Sequence, residues 1–151
     1  MLDTGITPIR VFSNAARFIE AYHRVLQPLC RESGLPPLAV DILMFAANNP
    51  EYATAKNICK YRGMKPSIVS VHVERLVGEG YLQRQEVPGD RRQTLLICTE
   101  RARSLIEHGR DLQKQFSERL TLGMSDADRE ALHKAMTLLD NNIEEIRKNG
   151  L

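Results

Sequence analysis

Lys65-Pro66-Ser67-Ile68-Val69-Ser70-Val71-His72-Val73-Glu74-Arg75-Leu76-Val77-Gly78-Glu79-Gly80-Tyr81-Leu82 is the stretch on which the reading of this chain turns. Val69, Val73 and Leu76 recur at three-to-four spacing, with His72 and Val77 at the margins, so the segment predicts a helix with one buried stripe. Ser67, Ile68, Ser70, Val71, Glu74 and Arg75 fall outside that stripe. Small and slender groups at the start of this outward face let the helix approach another surface closely. Pro66 sits where a first turn tolerates it, and Gly78 and Gly80 end the helix before Tyr81 opens a strand. These features suit a helix that reads DNA.

The flanking segments support that reading. Thr54 is an N-cap for a short helix from Ala55 to Tyr61, and Gly63 closes it in a tight turn just before Lys65. Downstream, Tyr81 to Glu86 and Thr94 to Cys98 predict two strands around the turn Val87-Pro88-Gly89-Asp90-Arg91-Arg92. Two short helices followed by a hairpin with a basic tip make a winged helix. Farther out, Thr7-Pro8 begins a helix whose one-sided positions Ile9, Phe12, Ala16, Ile19, Tyr22 or His23, Leu26 and Leu29 carry it to Cys30. Gly34-Leu35-Pro36-Pro37 breaks that run, and Leu38 to Asn48 predicts a strongly apolar second helix. Thr99 caps a long helix to about Leu122 that contains Gly109, whose cost of about 1 kcal/mol against Ala suggests a bend or a close helix contact there. Ser125, with Asp128 three residues on, begins a last helix whose Leu132, Met136, Leu139, Ile143 and Ile146 form the seam of a helix packed along a partner. The fold class expected is mainly α with a small β-wing: residues 1–34 an N-terminal dimerisation helix, 35–98 the winged helix-turn-helix lobe, 99–151 the C-terminal dimerisation helices.

Composition narrows the alternatives. A chain of 151 residues with 42% hydrophobic and 26% charged side chains can bury a core. It has no apolar run long enough for a bilayer and no basic-then-apolar leader, which places it in the cytoplasm with no membrane partner. Three separated cysteines give neither a disulfide framework nor a Cys-x-x-Cys pair. The net charge of +2 is small, but residues 56–92 carry eight basic side chains against four acidic ones, leaving the remainder of the chain net acidic. No Gly-rich phosphate loop, Gly-x-Ser-x-Gly or His-Glu-x-x-His occurs, so no catalytic residue and no cofactor are expected.

Pro66-Ser67-Ile68-Val69-Ser70, Glu74-Arg75-Leu76, Gly80-Tyr81-Leu82, Gly89-Asp90-Arg91-Arg92 and Cys98-Thr99-Glu100 together resemble the MarR family of bacterial winged-helix transcription regulators over nearly the whole length. Cys98, Ala102 and Arg62 stand where that family more often has Leu, Gly and an apolar residue. The resemblance implies a homodimer whose first, fifth and sixth helices interlock, and a pseudo-palindromic operator with half-sites about 10 base pairs apart. It implies a repressor released by a small-molecule effector held between the dimer helices and the lobe, with Tyr22, Leu26, Met44 and Phe45 as candidate lining. Each of these four is also a candidate for the core.

For DNA, Lys65, Pro66, Ser67, Ile68, Ser70 and Val71 are best placed at the helix N-terminus. Serines suit base edges or phosphate, and Ile68 and Val71 suit thymine methyls. Arg75 is assigned to phosphate. By family analogy Asp90 braces one of Arg91 and Arg92 while the other enters the minor groove. His72 is read as a hydrogen-bonded core histidine. The competing class is a winged-helix module for protein interaction without DNA binding. A redox- or metal-sensing regulator using Cys30 is a third reading, in which His23, Cys30 and His108 would have to converge.

Overall fold

The computed structural model describes residues 7–151. Contacts divide the chain into two compact units, one ending at Lys114 and the other spanning Gln115–Leu151.

In the first unit, α1 spans Pro8–Val25 and α2 Gln27–Ser33. Thr7 caps α1, its hydroxyl accepting from the Arg10 N–H at 3.4 Å. The single helix expected from Thr7 to Cys30 is therefore two. Pro28 explains the break: it has no N–H to continue the ladder and its ring crowds the carbonyl four residues back. Leu29 and Cys30 both donate to the Leu26 carbonyl instead, at 3.0 and 3.2 Å. Gly34, in the left-handed region at φ 73°, closes α2.

α3 runs Pro37–Asn48, and every residue from Ala39 to Ala46 is buried. That run includes Asp41, a carboxylate inside a helix expected to be apolar. After a 3-10 turn at Pro50–Tyr52, α4 (Ala55–Arg62) begins under Thr54, whose hydroxyl accepts from the Asn57 N–H at 3.2 Å. Gly63 and the extended Lys65 link it to α5, Pro66–Gly78.

β1 (Leu82–Val87) pairs antiparallel with β2 (Asp90–Cys98), and the Leu96 N–H also reaches the Ala53 carbonyl at 2.8 Å. The wing turn is shorter than the six residues expected. Val87 pairs directly with Asp90, leaving Pro88 and Gly89 as the turn, with Gly89 at φ 86° as a type II turn after proline requires. Glu86 pairs with Thr94, so Arg91, Arg92 and Gln93 bulge out of β2 below the turn instead of forming its tip.

Thr99 does not cap a helix with its side chain. Its hydroxyl donates to the Gly80 carbonyl at 2.5 Å, and a 3-10 turn at Glu100–Ala102 comes before α6, Arg103–Leu120. Leu26, Leu29, Leu35, Ile42, Leu43, Met44, Ile58, Leu76 and Leu82 are fully enclosed, and α6 adds Leu105, Ile106 and Gly109 to this core. Gly109 has the close contact its position suggested, against Met44 and Leu29.

In the second unit, Ser125 and Asp128 form a capping box that starts α7, Asp126–Asn149. Arg129 ties the first turn back to the Thr121 hydroxyl at 2.8 Å. No residue of α7 is buried. Among the described residues, no helix is long and apolar enough to cross a membrane.

Candidate nucleic-acid interface

Val69, Val73 and Leu76 anchor α5 in the core, as their spacing predicted. The opposite side is open. Lys65, Pro66, Ser67, Ile68, Ser70 and Val71 are all exposed, with Ile68 at 40% and Val71 at 65%. No side chain caps the N-terminus of α5. A helix start with free N–H groups and positive dipole end favours phosphate, while the slender side chains let the backbone come close to base edges.

The C-terminal half of α5 is pinned. Glu74 accepts from Arg84 of β1 at 2.7 Å, tying the helix to the wing. Arg75 donates through Nε to Glu79 at 2.7 Å and through Nη2 to the Gly34 carbonyl at 2.9 Å. Two of its five N–H donors are therefore held within the chain. His72 is not the hydrogen-bonded histidine expected. Its buried Nδ1 has no partner among the described residues, and burial, then the Arg75 charge, push its pKa below the ordinary histidine range.

On the wing, Asp90 accepts from the backbone N–H of Arg92 at 2.9 Å, so it shapes the bulge and does not grip a guanidinium. Neither Arg91 nor Arg92 has a salt-bridge partner among the described residues, and both are exposed. Between α4, α5 and the sheet lies an open groove of about 520 Å³, with Lys56, Ser70 and Arg84 among its lining residues. Lys56 and Arg84 entered the sequence reading only as part of a charge excess; a strand-to-helix pair such as Arg84–Glu74 has no signal in residue spacing.

The residues proposed for an effector lie elsewhere in the first unit. Leu26 and Met44 are wholly buried and Phe45 is 4% exposed, so in this conformation they are packing and line no opening. Tyr22 is half-buried; its hydroxyl accepts from Gln113 at 2.7 Å, and burial raises its pKa. Close by is a charged cluster the sequence did not reveal. Asp41, 4% exposed, accepts from Arg62 Nε at 3.1 Å and lies 3.4 Å from His23 Nε2. Arg62 also stacks over Phe45, its guanidinium carbon 5.2 Å from the ring centre, which accounts for a cation where the resemblance led us to expect an apolar residue.

His108 pairs with Glu32 at 3.0 Å, and no group of three or more metal-type ligands converges among the described residues. Cys30 is half-buried, and burial raises its thiol pKa, which disfavours the reactive thiolate.

A helix-turn-helix followed by a two-stranded wing defines the winged-helix class. Within that class, residues 33–93 match the sequence model of the MarR family. No curated protein matches the chain significantly by sequence. Among solved structures, the MarR protein from Peptoclostridium difficile superposes with a TM-score of 0.74 at 14% identity, covering 96% of this chain and 94% of its own. A MarR family regulator from Listeria monocytogenes, complexed with 26mer DNA, gives 0.72 at 14% identity, with 97% of each chain covered. CouR from Rhodococcus jostii, bound to p-coumaroyl-CoA, gives 0.66 at 22% identity over 85% of this chain and 88% of its own. The chain thus has the fold of MarR-family transcription regulators.

Proposed function

We propose that this chain is a sequence-specific DNA-binding transcription regulator acting as a cytoplasmic homodimer on a pseudo-palindromic operator. The observation that carries the reading is the open, uncapped start of α5 together with the unpaired Arg91 and Arg92 of the wing. Lys65, Pro66, Ser67, Ile68, Ser70 and Val71 would face the major groove and the wing arginines the minor groove, with Asp90 shaping the bulge that presents them. In this organisation residues 35–98 are the reading lobe, and residues 1–34 and 99–151 supply the dimer contacts. The apolar positions Ile9, Phe12 and Ile19 of α1 and Leu139, Ile143 and Ile146 of α7 support the homodimer, because they stand exposed among the described residues.

Regulation is proposed as repression relieved by a small molecule. It draws on the ligand in the CouR structure, and since Leu26, Met44 and Phe45 are closed here, an effector would have to part the helices around Tyr22 to enter.

Selection from a random duplex pool tests the DNA reading. The recovered sites should carry dyad symmetry with half-site centres about 10 base pairs apart, and affinity should fall steeply with salt. Replacing Arg92 with Ala should weaken binding and reduce the salt slope by about 1. A protein that enriches no sequence and binds no duplex in a salt-dependent way would instead be an interaction module.

A further inference from the structure

The Arg75 guanidinium reaches from α5 to the turn that ends α2. The carbonyl it meets belongs to Gly34, the residue that closes α2, and Gly34's own N–H is fixed on the Cys30 carbonyl at 2.8 Å. Gly34 also holds a left-handed φ of 73°, so the acceptor is a carbonyl set in place by a helix-ending turn. α2 begins one residue after α1, the helix that exposes Ile9, Phe12 and Ile19. A single side chain thus joins the recognition helix to the end of the helical run that carries one apolar face.

We propose that Arg75 is a positioning residue for operator recognition, a strut that fixes the angle of α5 against the α1–α2 run. This rests on the DNA-binding reading above. The strut is exposed, with Arg75 and Glu79 side chains 44% and 37% accessible, and pairs of that kind contribute little to stability. Direction is what it supplies. A guanidinium donating from two separate nitrogens holds an orientation that a point charge does not. Orientation matters most where two recognition helices must enter successive major grooves together.

The test compares the wild type with Arg75→Ala, Arg75→Lys and Glu79→Ala on a duplex selected by the wild type and on a scrambled duplex, across a salt series. Arg75→Ala should lose about tenfold on the selected site, within the range for couplings through packed networks, and almost nothing on the scrambled one, with its salt slope unchanged. Arg75→Lys keeps the charge but not both bonds, so it should lose nearly as much. Glu79→Ala should also weaken the selected site. Were Arg75 a phosphate contact, freeing it by Glu79→Ala would tighten both duplexes, Arg75→Ala would lower the slope by about 1, and Arg75→Lys would bind as wild type; any of these overturns the strut. Because Glu79→Ala leaves Arg75 in place, the test survives an unstable Arg75→Ala protein. Failure of the wild type to select any site would overturn the DNA-binding reading, and the strut with it, and is read before any variant is made.

Discussion

α3 and α7 are both helices announced by apolar residues, yet their fates are opposite. In α3, every residue from Ala39 to Ala46 is buried. In α7 nothing is buried, and Leu132, Met136, Leu139, Ile143 and Ile146 remain 42% to 60% exposed. The difference lies in how the apolar residues are distributed around the helix. α3 is apolar on nearly all sides and can only be an interior element, whereas α7 has one apolar stripe on an otherwise charged cylinder and needs one further surface. The α3 side chains are thus enclosed within the chain, whereas the α7 stripe stays open among the described residues.

The largest effect should come from breaking that stripe. Leu139→Asp combined with Ile143→Asp places two charges on the seam without touching the lobe core. The double variant should sediment as a monomer at micromolar concentration and lose operator affinity, since each half-site would then bind alone. A variant that remains dimeric would show that α7 is covered in some other way.

Charge sharpens the contrast next. Asp41 lies inside the α3 core holding Arg62 and His23, and Asp41→Ala would leave both facing a cavity. We expect a loss of about 2 kcal/mol in denaturant unfolding, below the roughly 3–5 kcal/mol of a fully buried pair because Arg62 can still reach water. Gly109 gives a smaller effect whose sign depends on burial. On an exposed helix Gly to Ala stabilises by about 1 kcal/mol. Here a Cβ would collide with Met44 Sδ and stand 2.8 Å from Met44 Cε and 3.1 Å from Leu29 Cδ1. Part of that clash relaxes through the flexible thioether, so Gly109→Ala should cost about 1 kcal/mol net at fixed protein concentration. A stabilised variant would mean that α6 does not press on α3 as closely as this.

What the sequence disclosed and what it hid divide along the same line, between local and distant causes. Thr7, Thr54 and Ser125 were legible as caps because a cap bonds within three residues. The buried stripe of α5, and the residues it leaves exposed at its start, followed from spacing alone. Pro28 was missed because apolar spacing continues across it although the hydrogen-bond ladder does not. The wing turn was drawn too long because Asp90, Arg91 and Arg92 are turn-like in composition, while register is decided by the opposite strand. Asp41 with Arg62, and Arg75 with Gly34, are 21 and 41 residues apart, so their pairing exists only once α2, α3, α4 and α5 have packed. That Arg75 meets the Gly34 carbonyl could not be read from spacing.

The smallest effect returns to α7 and its surface charge. Glu144 accepts from Arg147 at 2.8 and 2.9 Å and lies 3.3 Å from Lys148, and these hydrogen bonds, Arg147's foremost, hold its carboxyl at about 2 against an ordinary 4.5. The folded form therefore binds its proton less readily than the unfolded chain. What the pair contributes is complete above about pH 4.5 and is lost as pH falls toward about 2. Carboxyl carbon shifts in a pH titration should place the Glu144 midpoint near that lower value in dilute buffer. In about 1 M salt, where the screening length is about 3 Å, the midpoint should move back toward the ordinary range, because these charges face water. The Asp41–Arg62 bond should persist through the same salt, since Asp41 is shielded by the core. A Glu144 midpoint that salt does not move would mean that this end of α7 is covered in solution.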